Sequence, residues 1–190
     1  MHKKLCMVLV GAPCSGKSTI GKATAEEFGE SAVYISSGDI ARSIASRNAT
    51  VQKNLADGML APESQMRGTL NERIWNEVIL RDKQILILDG FPRFGEQAEW
   101  LENLLKGRFN IKYVLIDTPA DVLRNRARNR SRDDDRTSFE KRLVYYNETT
   151  LPELISRITY RIYCGYSSND TYVQILTRMC KEVLREERWT

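Results

Sequence analysis

Histidine is almost missing from this chain. The single one, His2, sits at the N-terminus. It reads as inert, and no other imidazole is at hand as a general base. Cysteine is sparse: Cys6, Cys14, Cys164 and Cys180 form no C-x-x-C pair, which argues against a zinc site. Cys6 falls in an apolar strand pattern and Cys180 in a helical one, as expected of reduced thiols in a cytoplasmic protein. No apolar run approaches the ~18 residues of a membrane span. The opening "MHKKLCMVLVG" is apolar only over residues 5–10 and runs straight into a glycine loop, so it reads as a buried strand and not as a signal segment. No internal repeat or low-complexity linker breaks the chain. What remains is an ordinary globular balance: 190 residues, 42% hydrophobic and 28% charged, enough for one domain with a sizeable core. The formal net charge of +4 suits anionic ligands without singling out nucleic acid.

Four apolar runs read as buried parallel strands: "LCMVLV" (5–10), "AVYIS" (32–36), "QILILD" (84–89) and "KYVLID" (112–117). A fifth, "ITYRIYC" (158–164), is more polar. Helical patterns separate them, over 18–28, over 66–82 with Leu70, Ile74, Trp75 and Val78 on one face, and over "GEQAEWLENLLKG" with Gly107 as its C-terminal cap. "SFEKRLVYYNETTLPELISR" is expected to break or bend near Pro152, and the last helix to start at an Asn/Asp cap in "NDTYVQ". Alternating strands and helices imply right-handed crossovers and a parallel sheet covered on both faces. The predicted fold is α/β, a three-layer αβα domain on five parallel strands.

The stretch "VLVGAPCSGKSTI" matches G-x-x-x-x-G-K-[ST] with Gly11, Gly16, Lys17 and Ser18. It follows a strand and opens a helix, the context that gives the pattern meaning. Glycines let backbone N–H groups curl around phosphate oxygens, and the helix N-terminus adds partial positive charge. Lys17 supplies a mobile cation for terminal phosphates, and Ser18 or Thr19 a hydroxyl for Mg²⁺ or phosphate. The loop therefore holds a nucleotide's polyphosphate. By itself it leaves GTPase, ATPase and kinase open.

Two further segments narrow the choice. In "YISSGDIAR" the second strand delivers Ser37, Gly38, Asp39 and Arg42, with Asp39 expected to cap the next helix. In "DGFPRFGEQAEWL" the third strand ends at Asp89, placed like the Mg²⁺-organising carboxylate of a Walker B strand. Gly90 permits close approach of a ligand, Pro92 fixes the turn, Arg93 projects from it, and the Gln97 amide can pair with a base edge.

At these residues the chain resembles the adenylate kinase family of nucleoside monophosphate kinases. "GAPCSGKST", "SSGDIAR", "DGMLAP", "DGFPRFGEQ", "RNRARNR" and "RDDD…EKRL" carry the resemblance, in order, from Val8 to about Tyr146. It implies a single P-loop NTPase domain over 1–190, with a small NMP-binding insert at about 36–65 and a short, metal-free lid at about 127–137. ATP would lie on Gly11, Ala12, Pro13, Cys14, Ser15, Gly16, Lys17, Ser18 and Thr19, with Arg126 stacked on its adenine and Arg130 at its phosphates. AMP would lie among Ser37, Gly38, Arg42, Leu55, Met59, Ala61, Gly90, Arg93 and Gln97, with Arg132 and Arg142 at phosphates. The catalytic set so implied is Lys17, Arg42, Arg93, Arg126, Arg132, Arg142 and Asp89. Mg²⁺ would be organised through Ser18 and Asp89. The resemblance also implies a cytoplasmic monomer with no nucleic-acid or membrane partner.

Six arginines crowd residues 124–136 beside Asp133, Asp134 and Asp135. Arg124, Arg128 and Arg136 read as a solvated face. An RNA-binding stripe is a second reading, but the run has no aromatic residue for base stacking and abuts an acidic triplet. Phosphoryl transfer gives the cluster a use, because positioned cations stabilise the charge spread over the transferring group.

The chain departs from the family at a few points. Cys14 replaces a small glycine, either as a tolerated residue or as a thiol open to alkylation. Ser37 stands where threonine often reads the acceptor base, and smaller residues there admit other bases. Besides ATP and AMP, the alternatives are a kinase for UMP, CMP or dAMP, and a nucleotide-binding regulatory protein.

Overall fold

The computed structural model describes residues 4–129, 133–165 and 167–186, with the backbone alone at 133–137. Five parallel strands form one sheet: β1 (Lys4–Val10), β2 (Ala32–Ser36), β3 (Ile85–Asp89), β4 (Phe109–Asp117) and β5 (Ile158–Tyr163), in the order β2-β3-β1-β4-β5. The strands expected from the apolar runs are all present. β4 starts earlier than its apolar run, because Lys4 of β1 pairs with Phe109. Asn110 and Lys112 interrupt the hydrophobic pattern there. β5 is polar because it is an edge strand, with Ile162 its only fully buried residue.

Helices cover both faces: α1 (Lys17–Glu27), α2 (Ser37–Ala45), α3 (Ala49–Ala56), α4 (Glu63–Arg73), α5 (Gly95–Leu105), α6 (Ala120–Arg128), α7 (Asp133–Tyr145), α8 (Leu151–Leu154) and α9 (Asn169–Glu186). Alternation along β1 divides the core. Cys6, Val8 and Val10 join Leu70, Ile74, Leu101 and Leu105 on one side. Leu5, Met7 and Leu9 join Ile20, Leu176, Cys180 and Val183 on the other. Among the described residues no helix is long and apolar enough to cross a membrane.

Two local expectations need correction, at the helix over 66–82 and at the last cap, while the expected bend near Pro152 is present. The helix over 66–82 runs as α4 and then a π-helical stretch, Ile74–Ile79. Its buried positions are Met66, Leu70, Ile74 and Val78. A constant step of four turns an ordinary helix face by about 40° each time, and wider π winding removes part of that drift. Trp75 lies off this face, 37% exposed, with the Arg108 guanidinium 5.3 Å from its ring. In the late helical run the winding changes at Tyr146–Thr150, ahead of Pro152, which sits in the first turn of α8 where a missing N–H is tolerated. The last helix is capped by Ser168, whose Oγ accepts the Thr171 N–H at 3.3 Å.

Candidate active site

β1 delivers the chain into a loop at the C-terminal end of the sheet, the usual place for ligands in such folds. The Ser15 N–H donates to Ala12 O at 3.2 Å. Gly16, with φ 102°, precedes α1, whose first N–H groups have no side-chain cap; such groups suit an anion. Lys17 reaches back over the loop, its Nζ donating to Gly11 O and Ala12 O at 2.8 Å each and to Ser15 Oγ at 3.3 Å. Burial brings its pKa down to about 8, helped by Arg142 and Arg93 and opposed by Asp89. Cys14 is buried with φ 63°. A side chain in that left-handed region costs about 1–2 kcal/mol, which glycine avoids.

Asp89 ends β3 opposite this loop and is buried. Two hydroxyls donate to its Oδ2 at 2.7 Å: Ser18 from α1 and Tyr34 from β2. Burial and the neighbouring carboxylate push the Tyr34 phenol well above its usual pKa. The donor set is hard oxygen throughout, of the kind Mg²⁺ prefers when shared with substrate phosphates.

Lys17, Arg42, Arg93 and Arg142 line one cavity with Ser18, Asp89 and Gly38. Arg93 donates from Nε to Gly90 O at 3.0 Å, and burial with Arg142 nearby lowers its pKa to about 10. Arg42 is paired with Asp39 at 2.5 Å. Asp39 is thus not the cap of α2. Ser36 is, its Oγ accepting the Asp39 N–H at 3.2 Å; the side chain one position before the helix reaches that N–H, while Asp39 lies inside the first turn.

Beyond Arg93 the cavity continues into a smaller recess lined by Ser37, Leu55, Leu60, Ala61, Glu63, Met66, Phe91 and Gln97. Gly90 has φ 75°, and a Cβ on it would meet Ser37 Oγ at 2.7 Å. Ser37 is buried and its hydroxyl has no hydrogen-bond partner among the described residues, an arrangement that calls for a polar ligand atom. Met59, expected here, is instead 53% exposed. The chain turns at Gly58, φ 80°, and brings Leu60 to the recess in its place.

A second recess lies outside the phosphate loop, lined by Cys14, Ser15, Gly16, Lys17, Ser18, Thr19, Asn125, Arg126, Asn129 and Asn169. Arg126 bonds the loop directly, its Nη1 donating to Ser15 O at 3.1 Å and Cys14 O at 3.4 Å. Arg130 and Arg132 lie outside the described residues, as does His2. Arg124 is half exposed and paired with Glu140 at 3.0 Å.

A family model described as adenylate kinase matches residues 9–160. The chain is 31% identical over 155 residues to the adenylate kinase of a Nitratiruptor species, covering 77% of each protein. It is 33% identical over 153 residues to that of Helicobacter hepaticus, covering 76% of this chain and 78% of the other. Over 159 residues it is 33% identical to that of Bacteroides fragilis, covering 78% and 82%. The chain belongs to the adenylate kinase family.

Several residues of this adenylate kinase family site escape a reading of the sequence. Tyr34 reads there only as part of a strand, yet its phenol reaches Asp89. Glu63 opens α4 and reaches Gln97, its Oε2 accepting from Nε2 at 2.5 Å. Asn125, Asn129 and Asn169 line the second recess. Only Glu63 gives a signal, an acidic residue just after a proline at a helix start.

Proposed function

We propose that the protein is an adenylate kinase that moves the terminal phosphoryl group of ATP onto AMP, reversibly, giving two ADP. One observation carries the reading. A single cationic cavity shares Ser37, Gly90 and Arg93 with one recess and Cys14, Lys17 and Ser18 with another. An NTP hydrolase needs one nucleotide site; two recesses on one cationic centre suit two nucleotides meeting at their phosphates.

In this reading the ATP triphosphate follows residues 11–19, with its base toward Arg126. The AMP phosphate faces Arg42, Arg93 and Arg142, with its base toward Ser37 and Gln97. Lys17, Arg93 and Arg142 neutralise charge on the transferring group, which needs positioned cations more than a strong base. Ser18 and Asp89 would hold Mg²⁺, which when bound neutralises phosphate charge. The insert at 36–65 and the lid at 127–137 exclude water from the reacting phosphates. Gly58, in the turn between α3 and α4, lies against Ser138 of α7. Support for a monomer is that Lys17, Arg42, Arg93 and Arg142 all come from one chain. Support for the cytoplasm is that Cys6, Cys14, Cys164 and Cys180 are all present as thiols.

A coupled ADP-release assay with Mg·ATP and AMP, dAMP, CMP, UMP, GMP or no acceptor tests this. AMP is expected to be the fastest acceptor. Faster turnover with CMP or UMP would overturn the acceptor while keeping the reaction, and ATP binding without turnover would leave a binding module.

A further inference from the structure

Gln97 is 4% exposed in the acceptor recess, so each polar atom of its amide needs a partner. Its oxygen accepts the Arg93 backbone N–H at 2.8 Å, and its nitrogen donates to Glu63 Oε2 at 2.5 Å. One lone pair and one hydrogen are left over for a ligand. The two bonds also decide which is which. Turning the amide by 180° would set its NH₂ against the Arg93 N–H and its oxygen against the Glu63 carboxylate. Glu63 is itself held: its Oε1 accepts from Arg67 Nε, and Arg67 is anchored on α5 by Glu96 at 2.9 Å and by the Trp100 ring, 5.8 Å from its guanidinium.

This lock matters because a free amide reads two kinds of base equally well. Adenine and cytosine offer an amino donor beside a ring-nitrogen acceptor. Uracil and hypoxanthine offer a carbonyl acceptor beside a ring N–H. An amide that turns over satisfies either pair; a fixed one satisfies a single order. We propose that Glu63 is the positioning residue for acceptor specificity: by fixing the Gln97 amide it makes the recess accept amino-bearing bases and reject keto bases. The inference rests on the proposed acceptor site.

The test compares AMP with inosine 5′-monophosphate, and CMP with UMP, as acceptors for wild type, Glu63→Gln and Glu63→Leu. Glutamine keeps the size of glutamate. With Arg67 occupying its oxygen, it turns an NH₂ toward Gln97 and so favours the reversed amide. E63Q is expected to lower the AMP-to-IMP ratio of kcat/KM by about tenfold to a hundredfold, the range for one buried hydrogen bond made or lost. The CMP-to-UMP ratio should fall in the same direction, while KM for ATP and Tm stay near wild type. E63L, which removes the acceptor and adds no donor, should give a smaller fall of the same sign and decides the matter if E63Q does not fold. Unchanged ratios in both variants, or a uniform loss over all acceptors, would overturn the role of Glu63. A wild type that prefers IMP to AMP would overturn the acceptor reading and this inference together.

Discussion

Lys17 shows how the site is tuned at the scale of one residue. Main-chain carbonyls fix its Nζ, while burial, Arg142 and Arg93 bring its pKa down to about 8. An unfolded chain would keep that proton up to about pH 10.4. Between the two values the unfolded state binds more protons, so this residue's part of the stability rises with pH. Binding of a polyphosphate has the opposite sign. Phosphate oxygens favour charged Lys17 and raise its pKa again, so above pH 8 ATP should bind with uptake of a proton. Affinity should then fall with pH, by at most tenfold per unit. Titration calorimetry in two buffers of different ionisation heat at pH 8.5 checks this, and equal heats in both would refute it. Lys17 could be read from the sequence because its motif names a spacing. Tyr34 could not, and Glu63 shows only as an acidic residue after a proline. Alternation along β2 reports which side chains are buried, and says nothing of which phenol meets a carboxylate 55 positions away.

Two helix glycines make opposite predictions at the scale of the element. Gly21 lies within α1, where a Cβ would meet Leu9 Cδ1 at 2.7 Å and a Tyr34 ring carbon at 3.0 Å. The glycine weakens the helix but lets it settle on the sheet. Gly68 lies in α4 with nothing among the described residues within 4 Å of an added Cβ. Gly21→Ala should therefore lower stability by about 1–3 kcal/mol through overpacking, despite alanine's better propensity. Gly68→Ala should raise it by about 0.5–1 kcal/mol. Urea unfolding of both variants tests the pair, and equal effects of either sign would sink the argument. The elements themselves were readable because strand runs and helix periods repeat over many residues. Caps and winding were less so, since Ser36 and Asp39, or Ser168 and Asn169, are all good capping types. Only the backbone path decides between them.

For the molecule as a whole, the fold gathers Lys17, Arg42, Arg93 and Arg142 around one cavity, with Asp89 among them. The order β2-β3-β1-β4-β5 makes this possible: β1 and β3 are neighbours, so the phosphate loop and the Asp89–Arg93 turn emerge side by side. The sequence showed which segments carry these cations, because their motifs stand at strand ends. It could not show the depressed pKa values, which depend on burial and on distances between segments far apart in the chain. Like charges held this close oppose folding, and a polyanion that neutralises them should stabilise the native state by mass action. At 100 times its dissociation constant, a ligand adds about 2.7 kcal/mol. For a chain of this size that is a rise in Tm of roughly 5–10 °C. Inorganic tripolyphosphate, which has no base or ribose, should produce such a rise. Added salt should reduce it as screening weakens the pairing. A thermal melt followed at increasing salt makes the measurement. If tripolyphosphate leaves Tm unchanged while ATP raises it, recognition rests on the base recess and not on the cations, and the electrostatic account of the cavity fails.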